Sequence, residues 1–168
     1  MEKRLLALLV LVAAILSLIA RPAGAAIGGS SASVLTLEDA PLSKAERSFL
    51  RESEEVWNRA VGWEVFSDDE GSGRPVVIVP VQGYEEQGVL GTTEAMLGIG
   101  AGWPRLVTFL RGMTGWRLRS TLIHELGHAL GLPHNKDPQS VMFYLSDRSR
   151  QEPSEADAEA VRQIWANR

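Results

Sequence analysis

Residues 118–134 read Leu-Arg-Ser-Thr-Leu-Ile-His-Glu-Leu-Gly-His-Ala-Leu-Gly-Leu-Pro-His, and their spacing defines both a helix and what that helix carries. Leu118, Leu122, Leu126 and Leu130 recur every fourth residue, which stacks side chains on one helical face. His124 and His128 repeat at the same interval, about 200° round from the leucines at ~100° per residue. One face suits a core and the other a cleft, where two imidazoles one turn apart meet a single cation. Gly131 ends the helix and lets the chain reverse. Leu132-Pro133 then carries it back far enough for His134 to act as a third ligand. The helix is predicted to start near Trp116, after Thr114-Gly115, and to run to Leu130.

The chain has three histidines and no cysteine, and all three fall within the window 124–134. A metal site must therefore be built from His, Asp and Glu. Three neutral imidazoles leave a fourth position for water, as a catalytic rather than a structural site requires. Glu125 sits ~100° round from His124, near the metal but not directed at it. A carboxylate there is placed to take a proton from that water and pass it on. A lone histidine is ordinarily a core or surface residue. Five fixed positions of these types arise by chance on the order of once in 10⁵ sequences of this length, which separates this window from that case.

Working outward, Ser154-x-x-Asp157 reads as the cap of a last helix carrying Val161, Ile164 and Trp165. Towards the amino terminus, Ser43-Lys44-Ala45-Glu46 is a capping box after Pro41-Leu42. Phe49, Val56, Trp57 and Ala60 follow at helical spacing, and Gly62 stops the helix, predicting it over 44–61. Between the long helices lie short extended runs: Trp63–Ser67, the continuous apolar Val76–Val79, Val89–Thr93 and Leu106–Leu110. Glycines crowd the intervals between them and favour loops. Residues 26–42, rich in Gly, Ser and Ala at their start, read as a flexible lead-in. Helix, strands, helix, helix is a mixed α/β layer arrangement.

The first 25 residues have the make-up of an export signal. Met1-Glu2-Lys3-Arg4 precedes an apolar run from Leu5 to Ala20, and Ala23-Gly24-Ala25 offers small residues for cleavage. The run is shorter than the ~20 residues a spanning helix needs, which favours a signal peptide over a retained anchor. Residues 43–168 are then a single catalytic domain, of ordinary size for one core. Residues 1–25 carry Lys3, Arg4 and Arg21 against Glu2, so their removal takes the net charge from −4 to −6. An acidic product without a basic cluster argues against nucleic acid as a partner, and no stable membrane association is expected once the signal is cleaved. The expectation is a secreted monomer, or one held at the cell envelope if the amino-terminal segment is retained.

The window His124 to His134 matches the H-E-x-x-H-x-x-G-x-x-H signature of metzincins, zinc peptidases that also carry a downstream Met-turn. Ser140-Val141-Met142 resembles that turn, and the resemblance implies that Met142 packs as a non-ligating floor beneath the metal. Within the clan the chain is most similar to matrixins: Leu122–Met142 resembles their zinc helix and turn, and Ser154–Trp165 their closing helix. Gly88-Val89-Leu90-Gly91-Thr92 resembles the cleft-edge strand of small bacterial matrixin-like proteins. The implied fold is α/β (α+β): a twisted, mostly parallel sheet of four to five strands with one antiparallel edge strand, two long helices and a C-terminal helix. The implied activity is hydrolysis of peptide bonds with one catalytic Zn²⁺, His124, His128 and His134 as ligands, Glu125 as base, and Val89, Leu90, Gly91 and Thr92 along the substrate.

Several positions depart from matrixins. Asn135 stands where they usually have Ser. No Cys is present for a thiolate latency switch, and no further His for a second, structural zinc. Asp68-Asp69-Glu70 could serve a calcium ion, but a charge run of this kind reads more readily as a solvated turn. Tyr144 stands where matrixins usually have Pro. In astacins and serralysins a Tyr there assists the tetrahedral intermediate, so Tyr144 is a candidate for that role or for simple packing. Two other readings remain open: a zinc-containing binding module without catalysis, which Glu125 argues against, and an anchored processing protease.

Overall fold

The computed structural model describes residues 32–36, 41–67, 74–82, 91–95, 105–144 and 150–166. The export segment 1–25, the acidic run 68–70, and Val89 and Leu90 lie outside them. Among the described residues, no helix is long and apolar enough to cross a membrane.

Helix α1 spans Lys44–Val61. Its capping box is formed, with Glu46 N donating to Ser43 Oγ at 3.2 Å and Ser43 N to Glu46 Oε2 at 2.7 Å. Gly62 closes it in the left-handed region at φ 91°. The buried face is Leu50, Ser53, Val56, Trp57 and Val61, with Phe49 at its margin. Asn58 then sets the exit of the chain: its Oδ1 accepts from Val65 N and Phe66 N, both at 2.8 Å, and its Nδ2 donates to Phe66 O at 2.8 Å.

Five strands form one sheet: β1 Ala32–Thr36, β2 Phe66–Ser67, β3 Arg74–Val81, β4 Gly91–Ala95 and β5 Arg105–Leu110. Their spatial order is β2-β1-β3-β5-β4. All neighbours run parallel except β4, which pairs antiparallel with β5 at the edge. Val76, Val77 and Ile78 of β3 are buried, as a continuous apolar run in an interior strand requires.

The strand boundaries move from those predicted. The run 63–67 narrows to two residues, that at 76–79 lengthens to eight, and that at 89–93 is seen from Gly91 to Ala95. The larger correction concerns the lead-in. Residues 32–36 within it are not loose but form β1, parallel to β2 on one side and β3 on the other. A strand with hydrogen-bonding neighbours on both edges is specified by context, so its Gly- and Ser-rich surroundings mislead.

Helix α2 spans Gly115–Leu130 and packs against β4 and β5 on one side and α1 on the other. Leu118, Leu122, Leu126 and Leu130 are all buried, together with Ile123 and Ala129. The Trp57 indole donates across this packing to Ile123 O at 2.9 Å, one residue before the first candidate ligand. Helix α3 spans Glu155–Ala166 and covers helix ends. Trp165 Nε1 donates to Leu130 O at 3.1 Å, and Arg162 reaches Val61 O at 3.1 Å and Ala60 O at 3.3 Å. These carbonyls lie in the last turns of α2 and α1, where intrahelical partners run out. Arg162 also bonds the exposed Glu159 carboxylate, which holds that group below its ordinary pKa.

Candidate metal centre and cleft

Helix α2 delivers His124 and His128 one turn apart, and the left-handed Gly131 at φ 108° turns the chain back to bring His134 to them. The three Nε2 atoms form a triangle with every side 3.1 Å. His124 is buried, His128 half-buried and His134 exposed, so the triangle opens towards solvent on the His134 side.

The opposite ring nitrogens explain the orientation. His124 Nδ1 lies 2.6 Å from Val141 O, and His128 Nδ1 lies 2.7 Å from Leu132 O. A carbonyl oxygen only accepts, so both rings donate from Nδ1 and turn unprotonated Nε2 lone pairs inward. Lone pairs converging at 3.1 Å repel one another unless a cation sits between them. A tetrahedral zinc ion with bonds of about 2.0–2.1 Å needs its nitrogens roughly 3.3–3.4 Å apart, within a few tenths of an ångström of what is found. The donor set fits zinc.

Met142 is fully buried. A Cβ added to Gly127 in α2 would run into the Met142 sulfur and stand 2.9 Å from Trp57 Cζ2, so the turn packs against the bare backbone of the helix. Asn135 ties the two segments together. Its N–H donates to Met142 O at 2.9 Å, its carbonyl accepts from Tyr144 N at 3.1 Å, and its Nδ2 donates to Ser140 Oγ at 2.7 Å. Tyr144 is thereby held by its backbone while its side chain is 55% exposed. Beneath the turn, the buried Asp157 accepts from Ser140 Oγ at 2.6 Å and Val141 N at 3.2 Å, besides capping α3 with Ser154.

A cleft of about 440 Å³ joins the triangle to the sheet edge. It is lined by Gly91, Thr92 and Thr93 of β4, Arg105 of β5, Glu125 and His128 of α2, and the segment 131–134 that follows the helix. Glu125 is buried, and Thr93 Oγ1 lies 2.9 Å from its Oε2. Gly91 and Thr92, read from sequence as part of a substrate strand, thus share the cleft with Glu125 and two of the histidines.

Sequence reasoning placed Thr93 in an extended run and Trp57 on a helix face, but missed their contacts with Glu125 and Ile123 and the second role of Asp157. The capping pattern at Ser154 pointed to Asp157 but not to its grip on residues 140–141. Asn135 drew notice only as a departure, and its amide proves to bridge the last ligand segment to the turn.

The matrixin family model matches residues 34–166, from within β1 to the end of α3. A search of curated proteins finds no match. The match spans sheet, metal-binding helix and closing helix together, and the chain belongs to the matrixin family of zinc metallopeptidases.

Proposed function

We propose that this protein is an exported zinc-dependent endopeptidase in which Glu125 is the general base. The observation that carries the reading is the sharing of one cleft by an inward-facing Nε2 triangle, the Glu125 carboxylate and an edge strand. His124, His128 and His134 would hold the ion, which supplies Lewis-acid polarisation of the scissile carbonyl and of the attacking water. Glu125 takes a proton from that water and hands it to the departing amine. Strand β4, antiparallel at the edge of the sheet, offers main-chain groups to an extended peptide, which would pair with it as an added strand.

Export is supported by the charged start, apolar run and Ala-Gly-Ala site of residues 1–25, and mature protein beginning at Ala26 would establish it. Tyr144 stands two residues beyond Met142, and its hydroxyl is proposed to assist the developing oxyanion. The exposed side chain contributes little to stability, so Tyr144→Phe reads chemistry alone, with an expected loss in kcat of roughly tenfold. An unchanged rate removes the role.

The deciding experiment is cleavage of a quenched-fluorescence peptide pool with and without chelator, beside Glu125→Gln. Turnover should vanish on chelation and fall by roughly 10²–10⁴ in the variant. A protein that retains zinc and cleaves nothing is instead the binding module. Cleavage that survives chelation refutes the zinc mechanism, and cleavage that survives Glu125→Gln refutes the base.

A further inference from the structure

Strand β4 meets the Glu125 side chain at two points. Thr93 Oγ1 lies 2.9 Å from Glu125 Oε2 and 2.9 Å from the Glu125 backbone carbonyl oxygen. A carboxylate and a carbonyl only accept, so the threonine hydroxyl donates and its proton is shared between them. Two residues earlier on the same strand face is Gly91. An ideal Cβ there would stand 2.9 Å from Glu125 Cγ, 2.9 Å from Glu125 Oε1 and 2.9 Å from Thr108 O. One carboxylate oxygen is therefore bonded to a hydroxyl while the other lies against bare backbone.

The register of the sheet accounts for this. Thr93 stands opposite Val107 and Gly91 opposite Phe109 across the β4–β5 pair. Directly opposed residues point to the same face of a sheet. Val107 and Phe109 are buried, so that face is the one packed against α2. Thr92, between them, turns the other way and bonds Thr108 Oγ1 at 2.9 Å.

We infer that Thr93 is a positioning residue, whose hydroxyl fixes the orientation of the Glu125 carboxylate in the cleft. The inference rests on the reading of Glu125 as the base, and adds a reason for holding it from β4. The strand that would align an extended substrate also aligns the group that activates the attacking water, so both are set from one backbone. A long flexible carboxylate side chain otherwise has several rotamers from which to face the cleft.

The test compares Thr93→Val, which keeps the shape and removes the hydroxyl, with Thr93→Ser, which keeps the hydroxyl. In the zinc-loaded chain, Thr93→Val should lower kcat roughly ten- to a hundredfold with KM within about twofold, while Thr93→Ser stays within about threefold of the parent. Zinc content should be equal in all three. Crystal structures of the metal-free proteins give a readout independent of turnover: Glu125 should leave its parent rotamer in Thr93→Val and keep it in Thr93→Ser. An unmoved Glu125 in Thr93→Val, equal losses in both variants, or a rate loss that follows zinc loss would overturn the inference. Failure of the underlying reading looks different, since Glu125→Gln would then turn over at the parent rate whatever Thr93 does.

Discussion

The Nδ1 atom of His124 and the carbonyl oxygen of Val141 lie 2.6 Å apart, which ties a ligand on helix α2 to the turn that carries Met142. The bond selects the tautomer that leaves Nε2 unprotonated, and it fixes the plane of the ring. His128 is handled in the same way by Leu132 O, from the segment immediately after its own helix. Two of the three proposed ligands are therefore oriented by peptide carbonyls, whose positions depend on how the chain after residue 130 is anchored.

Asp157 supplies part of that anchor. Its carboxylate accepts from Val141 N, from Ser140 Oγ, and from the backbone and hydroxyl of Ser154, and it is almost wholly buried. Asp157→Asn replaces one acceptor oxygen with a donor that faces other donors. The expected loss is about 2–4 kcal/mol of unfolding free energy, read from urea denaturation of the metal-free protein. Zinc affinity should fall roughly 10- to 100-fold, because Val141 orients His124. Unaltered zinc affinity at reduced stability would show that the turn holds its place without this carboxylate.

Gly127 sets two effects against each other. Alanine in a helix interior is favoured over glycine by about 1 kcal/mol. At this position a Cβ collides with the Met142 sulfur and stands 2.9 Å from the Trp57 ring, both fully buried. Overpacking of that kind costs about 1–3 kcal/mol, and the Trp57 indole is held by its bond to Ile123 O. Gly127→Ala should therefore be net destabilising in urea, by about 1 kcal/mol or more. A more stable variant would mean that Met142 moves aside at little cost.

Much of this arrangement was legible in the sequence because its signals are local. The capping box at Ser43, the stop at Gly62, the leucine stripe of α2 and the reversal at Gly131 each lie within a single helix or at its ends. The spacing of His124, His128 and His134 is equally local, as is the cap at Ser154. What stayed hidden depends on partners far along the chain. Strand β1 has five residues of modest strand preference and is defined by β2 and β3 on either side. Thr93 meets Glu125 across 32 positions, and Trp57 meets Ile123 across 66. No periodicity marks contacts of that range, and Thr93 reads alone as an ordinary edge-strand threonine.

Zinc should also be a stability ligand. The Nε2 triangle brings the lone pairs of His124 and His128 to 3.1 Å, a repulsion that a bound cation relieves. A ligand that binds only the folded state adds about 4 kcal/mol when present at a thousand times its Kd. Chelation should therefore lower Tm by roughly 8–16 °C for a domain of this size, and equimolar zinc should restore it. A Tm indifferent to chelator and zinc alike would mean that the triangle binds no ion of consequence.

Gly91→Ala tests the neighbouring position on the same face of β4 as Thr93. The added methyl would stand 2.9 Å from two atoms of the Glu125 side chain and from Thr108 O. Glu125 could swing away, but the Thr108 carbonyl belongs to β5 and moves only with the sheet. Two costs are then expected together. Stability should fall by about 1–3 kcal/mol from the strained β4–β5 pair. kcat should fall roughly a hundredfold, since a carboxylate displaced by about 1 Å no longer reaches the water it must activate. Zinc binding should persist, because the proposed ligands His124, His128 and His134 come from α2 and the segment after it, not from β4. Stopped-flow cleavage and metal analysis on the same preparation separate these effects. A variant that keeps both zinc and the parent turnover would show that Glu125 needs no fixed seat against β4.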